Sequence, residues 1–508
     1  MKKIISLALA LLTMLCTVAC GGGSKPVDVS KLNVPTFDES KVLHLSTEIP
    51  PDYSYEENVL DVAELGIDTL FVGEDYFAFG SESFKQAMKW CEKHNMRVMI
   101  RIHEKNLPIH SNQFDGDGWP TNEPTYFETY VKDHINCKST LKIPNVNGQV
   151  DEEYLEAHAD CPMLDFKDYP AVVGFYLLDE PSYKQTLEIR ANYVDWFNEY
   201  YGPEYEFNVA FTMADNAYLQ GHDLEGNVAS YDKMITEYQE LTMAKVNSRA
   251  VHHVGTYPVK LNNGKTTVSE RWLKVNMDAA LYAEKYNAEL QLITGTFEGY
   301  QDVKKPESVK ELEFVNYVNF LFGAKANMYW GYRTANEAGL TYHMMSDNGK
   351  KTELYYLVKE TNQRLANVDH VLMHFNNWDG LFTYVGSGNK TATEKCFEML
   401  KTDIQPSIAE MSKSYLLSNL TDVTAFKAKY NVIAGEMSDD AGQKAYVIVN
   451  YDNIELTRTN KVKMTFEKAD GVMLCRDGAI EIIGLANHEF EIELDNAEPI
   501  ILVPLYQK

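Results

Sequence analysis

The sequence predicts a (β/α)8 barrel followed by a small C-terminal antiparallel β-domain. Over residues 41–376, eight short apolar runs of strand length alternate with segments of helical periodicity. Beyond residue 376 the runs are short, several alternate between apolar and polar residues, and Gly, Asp and Asn separate them. A chain of 508 residues is long enough for one large domain and one small one.

Each of the eight runs is nearly continuous in apolar residues, which is typical of parallel strands buried on both faces. In chain order they are VLHLSTE (42–48), IDTLFVGE (67–74), RVMIRIHE (97–104), AVVGFYLLDE (171–180), EFNVAFTMA (206–214), RAVHHVGTYPV (249–259), AELQLITGTFEG (288–299) and ANMYWGYR (326–333). A helical pattern follows every run except the third, which precedes a long polar insertion. An open doubly wound sheet is the alternative, but no GxGxxG occurs and such sheets usually have fewer units.

The C-terminal runs KAYVIVNY, KVKMTFEK, GVMLCRDG, EFEIELD and PIILVPL predict a β-sandwich-like domain over 377–508. We expect it to pack on the barrel. A helix-like stretch at 401–417 belongs to either unit.

The first twenty residues, MKKIISLALALLTMLCTVAC, combine two lysines, an apolar run too short to span a bilayer, and small residues before Cys20. They predict a secretory signal over 1–19. The ending TVAC resembles the lipobox of bacterial lipoproteins, and the resemblance implies a lipid on Cys20 that anchors the chain in the bacterial cell envelope, on the periplasmic side or the outer-membrane surface. An ordinary signal peptide with a chance cysteine is the alternative. Residues 20–40, in which GGGSKPVDVSK follows Cys20, predict a flexible tether.

A formal net charge of −27 argues against nucleic acid as a partner, because phosphate binding needs Lys and Arg. It fits a neutral or cationic ligand, or simply an acidic soluble surface. No CxxC pair or Cys/His cluster has metal spacing, so we expect neither a metal nor a cofactor. Cys137 and Cys161 lie in one long irregular stretch. The sequence is compatible with a disulfide between them and equally with two free thiols. The oligomeric state is not indicated.

The predicted strand ends carry the candidate site residues, because chemistry in such barrels lies at the C-terminal ends of the strands. Carboxylates, polar groups and aromatic rings converge there. The candidates are Glu48, Glu74, His103, Asp179, Glu180, Asn216, Tyr257, Glu298, Trp330, Tyr332 and Arg333. Carboxylates suit acid–base work, flat aromatic rings offer apolar faces on which a ligand can stack, and an arginine suits a rim carboxylate or an acidic ligand. For any single residue a plain polar loop is the ordinary alternative; the convergence favours a site.

The fourth run ends in two adjacent carboxylates, and Pro181 then prevents the strand from continuing. Successive side chains of a strand diverge, so Asp179 and Glu180 point in different directions. A carboxyl group beside apolar neighbours such as Tyr176 and Leu178 has a raised pKa, as a general acid needs.

These residues resemble a known group of enzymes. GFYLLDEP resembles the strand-four motif of clan-A-type glycoside hydrolases and their barrel relatives in gut bacteria of the Bacteroides type. HHVGTYPV and GAKANMYWGYR are similar to the strand-six D-x-Y-P and strand-eight G-A-x-G segments of such relatives. The resemblance implies that Glu180 is the acid/base, that Glu298 is the nucleophile ending strand seven, and that the substrate is an oligo- or polysaccharide. Asp179 replaces the usual Asn before the acid, and Gly255 replaces the Asp of D-x-Y-P.

Two other interpretations stay open. The order Asp179-Glu180 also resembles substrate-assisted N-acetylhexosaminidases, in which the Asp orients the 2-acetamido group and the Glu donates the proton; Glu298 is then dispensable. Alternatively the chain is a non-catalytic carbohydrate-binding lipoprotein, because a barrel keeps its shape after its chemistry is lost.

Overall fold

A computed structural model describes most of the barrel strands and nearly all of the C-terminal domain. The described residues are 25–47, 55–73, 79–102, 140–141, 163–177, 194, 198, 201–202, 204–211, 250–255, 259–262, 265–268, 272–298, 302–333, 341–346, 348–387, 396–398, 400–401, 409–451, 454–455 and 457–508.

Eight parallel strands pair side by side, and each of the eight predicted runs contains one of them. They are β2 (His44–Thr47), β3 (Thr69–Gly73), β4 (Arg97–Ile102), β7 (Val172–Leu177), β8 (Glu206–Phe211), β9 (Ala250–Gly255), β12 (Glu289–Gly295) and β13 (Ala326–Trp330). Every strand hydrogen-bonds to two neighbours in the order β12-β13-β2-β3-β4-β7-β8-β9, and β9 pairs with β12 to close the ring. All strands therefore end on the same side of the ring.

Helices cover the outside of the ring. They are α1 (Glu56–Ala63), α2 (Glu82–Lys93), α3 (Trp272–Lys285), α4 (Val309–Phe320) and α5 (Glu353–Ala366), following β2, β3, β9, β12 and β13 respectively. Side-chain caps set two of the starts: Ser81 accepts from the Phe84 amide, and Ser308 accepts from the Glu311 amide. The helices predicted after the fourth and fifth runs lie outside the described residues, apart from single helical positions.

Two small strand pairs supplement the ring. An antiparallel hairpin, β10 (Val259–Asn262) and β11 (Lys265–Val268), follows β9, and β5 (Thr140–Leu141) pairs with β6 (Met163–Leu164). The sixth predicted run therefore ends earlier than expected: β9 stops at Gly255, and Val259 already belongs to the hairpin.

The C-terminal domain consists of two packed sheets. The larger contains β14 (Asn377–Tyr384), β15 (Leu416–Leu417), β17 (Val432–Ser438), β18 (Lys444–Val449), β20 (Gly471–Arg476), β21 (Ala479–Gly484) and β23 (Pro499–Gln507); the smaller contains β16 (Val423–Ala428), β19 (Asn460–Phe466) and β22 (Glu489–Leu494). All these pairs are antiparallel except β14 with β15. Alternate residues such as Tyr446, Ile448, Val462 and Met464 fill the space between the sheets. A short helix, α6 (Asp369–His374), connects the barrel with this domain, and a second, α7 (Ala409–Tyr415), lies between β14 and β15 and contacts α3.

The outer face of the larger sheet packs on the barrel helices. Trp378 donates its indole N–H to the Leu321 carbonyl at the end of α4 (3.0 Å). At Gly435 the sheet approaches the same backbone so closely that a Cβ would lie 2.3 Å from the Leu321 oxygen. Arg364 of α5 pairs with Glu313 of α4 (3.1 Å) and with Asp477 of the β-domain (3.4 Å). One apolar cluster runs through both units, which agrees with the expected packing.

The N-terminal segment differs from the flexible tether predicted for 20–40. Residues Val29–Lys31 form a 3-10 helix, and β1 (Leu32–Asn33) adds a strand to β23, with Leu32 opposite Gln507. Leu32 is 1% exposed. Residues 27–33 are therefore part of the folded C-terminal domain, because the last residues of β23 extend beyond its pairing with β18 and β20 and are free to pair with β1, which buries Leu32.

Candidate active site at the barrel mouth

The inward face of the barrel follows from strand alternation and register. On β12, Gln291 and Ile293 lie on the inside, whereas Thr294 hydrogen-bonds outward to Asn316 of α4 (3.3 Å). Residues paired in register share a face, so Met328 of β13, in register with Ile293, is also inward. The row one step nearer the strand ends pairs Gly295 with Trp330.

The lower lumen is polar and its middle is apolar. Near the strand starts, Arg97 forms an ion pair with Glu206, and Gln291 donates to Ser46 (2.7 Å). Above this floor an apolar plug closes the lumen, with every side chain at most 6% exposed; it consists of Phe71, Met99, Tyr176, Ile293 and Met328. The part of the lumen that the structure describes is therefore a packed core, and a ligand can be received above the plug, at the strand ends.

Trp330 lies at the top of this plug and is partly exposed. Phe297 meets it edge-on, with ring centroids 4.9 Å apart and planes at 87°. Phe297 is fully buried, and His343 lies behind it at 6.2 Å. Packing on one edge fixes the indole while part of it stays accessible, which suits a platform for an apolar sugar face.

Gly331 turns the chain directly after Trp330. Its φ is +94°, and a Cβ there would lie 2.3 Å from the His343 ring. The imidazole Nδ1 lies 3.2 Å from the Gly331 carbonyl. Only glycine fits this turn, and the turn fixes the rotation of the strand end that carries Trp330.

Glu298 lies three residues beyond the end of β12. Its backbone pairs with Thr341 in both directions (2.8 and 2.9 Å), which ties the loops after β12 and β13 together. The side chain is partly exposed, and its carboxylate makes no hydrogen bond or ion pair with the residues that the structure describes. A carboxylate at a strand end that is held by its backbone and free at its oxygens is available to a ligand.

Tyr332 and Arg333 separate from each other after the turn. Tyr332 is 1% exposed and packs in the outer core with Met344 and Tyr355, where burial raises the pKa of its phenol above the usual range. The structure therefore places Tyr332 in the core and not at the mouth, which corrects the sequence-based assignment. Arg333 is partly exposed and bridges to Met345 through its backbone.

Arg101 belongs to the mouth but is absent from the sequence-based candidates. It is in register with Gly73 on one side and Tyr176 on the other, and its aliphatic stem lies 3.6 Å from where a Gly73 Cβ would be. The signal was present in RVMIRI: Arg97, Met99 and Arg101 alternate onto one face of an otherwise apolar strand. The cation at position 101 adds positive charge to a rim that the sequence makes acidic.

The remaining candidates lie outside the described residues. They are the two strand-four acids Asp179 and Glu180, the rim residues Glu48, Glu74, His103, Asn216 and Tyr257, and the lipidation candidate Cys20. Within the described part of the chain, no group of three or more His, Cys, Asp or Glu side chains is arranged to hold a metal ion. None of the described helices is both long and apolar enough to cross a membrane.

Of the comparisons with known proteins, only the one with solved structures found similar proteins. No family model matches the chain, and no curated protein matches it. Several similar structures are glycoside hydrolases. An α-amylase from Anoxybacillus, whose structure provides insights into a new glycosyl hydrolase subclass, is 10% identical over 92% of this chain and 98% of its own (TM-score 0.43). AmyP in complex with maltotriose is 10% identical over 92% and 97% (TM-score 0.43). A broad-specificity endoglucanase from Clostridium longisporum is 10% identical over 62% and 87% (TM-score 0.34). Similarity this low carries no information about the chemistry of the site.

Proposed function

We propose that this chain is a (β/α)8-barrel glycoside hydrolase that cleaves an oligo- or polysaccharide at the barrel mouth. The observation that carries the proposal is the end of β12. The carboxylate of Glu298, which is unpaired among the described residues, follows this strand, and the last residue of the strand, Gly295, is in register with the partly exposed Trp330. Cleavage of a glycosidic bond uses a pair of carboxylates, of which Glu298 supplies one, and an aromatic ring fixed at the same rim suits stacking on a sugar face.

The second carboxylate in this proposal is Glu180. Two strands, β8 and β9, separate β7 from β12 in the ring, so residues that follow β7 and β12 face each other across the mouth. Tyr176 lies in the lumen, and strand alternation predicts the same face for Glu180 four residues later. This expectation rests on the sequence pattern, since position 180 is not described.

The reaction divides between the two acids. Glu180 donates its proton to the leaving oxygen while the bond from that oxygen to the anomeric carbon breaks. In one route Glu298 attacks the anomeric carbon as that bond breaks and forms a glycosyl ester; Glu180, now a carboxylate, then takes a proton from the water that hydrolyses the ester, and Glu298 leaves as a carboxylate. In the other route Glu298 takes a proton from the water that attacks the anomeric carbon as the bond breaks. A separation of about 5–5.5 Å between the carboxyl groups favours the first route and retention, and about 6.5–9.5 Å favours the second and inversion.

The rest of the mouth supports a neutral sugar. Trp330 provides a face for stacking, while Arg101 and Arg333 bring hydrogen-bond donors to the rim. The strongly negative net charge of the chain disfavours an acidic polymer. We also propose that the mature chain is anchored in the cell envelope by a lipid on Cys20, on the sequence pattern alone.

A glycan-panel hydrolysis screen tests the proposal, first with the wild type and then with Glu298→Gln and Glu180→Gln on any substrate found. We expect each variant to lose activity by about three orders of magnitude or more, with Glu481→Gln, an exposed and distant carboxylate on β21, as the matched control. For a retaining enzyme, azide restores turnover in Glu298→Ala and is incorporated into the product.

Two results would contradict the paired mechanism. Full activity of Glu298→Ala on N-acetylated sugars, together with loss in Asp179→Asn, would establish the substrate-assisted route. Binding of a glycan without cleavage of any member of the panel by the wild type would establish a carbohydrate-binding protein.

A further inference from the structure

The point at which the N-terminal segment joins the fold restricts how an anchored molecule can sit on a membrane. The Val27 amide donates to the Leu485 carbonyl (3.1 Å), and the Lys508 amide donates to the Lys31 carbonyl (3.0 Å). With Leu32 buried against β23, these bonds fix the segment to the edge of the larger sheet from Val27 onward.

The same segment next runs to the side of the barrel opposite the mouth. Phe37 packs edge-on against His370 and His374 of α6, with centroids 5.7 and 5.0 Å away, and the Leu43 amide donates to Asp369 of α6 (3.2 Å). His44 then begins β2. Because parallel strands begin at the end away from the mouth, residues 37–44 lie on that far side.

The number of residues between Cys20 and Val27 limits how far a lipid on Cys20 can lie from Val27. Six residues lie between Cys20 and Val27, and the seven Cα-to-Cα steps reach about 25 Å even when fully extended. A globule of this size has a radius of gyration of about 23 Å and hence a diameter of about 60 Å. Whatever conformation residues 20–26 adopt, they are too short to carry a lipid from Val27 around to the opposite side of the molecule.

The turn that leads into β21 packs against Arg364 in the last turn of α5, five residues before Asp369, so this end of the larger sheet also lies on the far side of the barrel. We propose that the bilayer faces the surface beside Val27, and that the barrel mouth points away from it. This lipid-facing surface is defined by the side chains of Val29, Val34 and Ile480, which are 39%, 40% and 40% exposed. The 3-10 helix that contains Val29 contacts β21, which contains Ile480. The inference rests on the lipid predicted at Cys20 and is independent of catalysis. An outward mouth gives a large glycan access that the membrane would otherwise block.

Fluorescence energy transfer on vesicles tests the orientation. A chain beginning at Cys20, with Cys137→Ser and Cys161→Ser, is coupled through Cys20 to a maleimide phospholipid in phosphatidylcholine vesicles that contain an acceptor lipid. The described cysteines are all buried and do not compete for the coupling. A donor dye is attached through azidophenylalanine at one of three exposed positions: Glu39 on the far side, Glu481 on β21, or Thr341 at the mouth.

We expect transfer at Thr341 to be lower than at Glu39 and Glu481 by about twofold or more, since the mouth lies much of a molecular diameter (about 60 Å) from the lipid. Inserting twenty Gly/Ser residues after Gly23 adds about 25 Å of average reach and removes the difference. Equal or stronger transfer at Thr341 with the native spacing would overturn the inference. The inference would also be overturned if mass spectrometry found Cys20 without a lipid in the chain expressed with residues 1–19. That result would not affect the glycosidase proposal.

Discussion

The buried polar network behind β12 and β13 gives the sharpest stability prediction. The Tyr329 hydroxyl accepts from the Asn316 amide (2.8 Å) and donates to the Asn362 carbonyl oxygen (2.5 Å). Asn362 in turn donates to the Leu65 backbone (2.8 Å). All three side chains are at most 1% exposed, so no bulk water can replace a lost partner.

Tyr329→Phe removes the hydroxyl and leaves one donor and one acceptor buried without partners. Each costs about 1–3 kcal/mol. Part of the total is offset because the hydroxyl itself no longer has to be desolvated, so we expect a loss of about 3 kcal/mol in the free energy of unfolding. Equilibrium urea unfolding measures it as a lower midpoint at unchanged slope.

Tyr356→Phe is the matched control, because that side chain is 59% exposed on the same helix as Asn362. It should change stability by less than about 0.5 kcal/mol. Equal midpoints for the Tyr329 and Tyr356 variants would refute the reasoning. A double-mutant cycle of Tyr329→Phe with Asn316→Ala should show a coupling energy of about 0.5–3 kcal/mol.

Three further predictions concern burial. Burial raises the pKa of the Cys91 and Cys475 thiols to about 12, so iodoacetamide at pH 8 should label neither until the chain is unfolded, and labelling of the native chain at either would contradict their burial. The thiols ionise at a lower pH in the unfolded chain than in the folded one, so above about pH 9 each thiol should lower the free energy of unfolding by about 1.4 kcal/mol per pH unit. In urea titrations at several pH values, Cys91→Ala should reduce this slope. Desolvation lowers the pKa of Lys325 to about 8. Between about pH 8 and 10.5 the Lys325 amine is therefore protonated in the unfolded chain and neutral in the folded one, so the free energy of unfolding rises by about 1 kcal/mol per pH unit. Lys325→Met should remove that rise. Leu32→Ala should cost about 2–4 kcal/mol because the side chain is 1% exposed, whereas the exposed Val34→Ala should be nearly neutral; equal thermal midpoints would show that β1 contributes nothing.

The strand pattern was readable from the sequence because strands buried on both faces must be apolar along their whole length. All eight runs contain a parallel strand, and the antiparallel C-terminal domain begins at Asn377. Alternation within a run also predicts which side chains share the inward face of a strand. In RVMIRI it places Arg97 and Arg101 on the same side. Glu298 and Trp330 could be proposed for the same reason, since each closes an apolar run.

Tertiary structure decided what local pattern leaves open. Trp330 and Tyr332 are two residues apart, so alternation assigns them to one face, yet the turn at Gly331, with its φ of +94°, sends Tyr332 into the outer core. The pairing of Leu32 with Gln507 joins positions 475 residues apart in the numbering. A strand of two residues has no pattern of its own to read. What the sequence by itself determined is which segments are buried strands. The positive-φ turn at Gly331 and the protruding end of β23 decided where the adjoining segments go, because the turn depends on the His343 ring and β1 depends on residues 506 and 507.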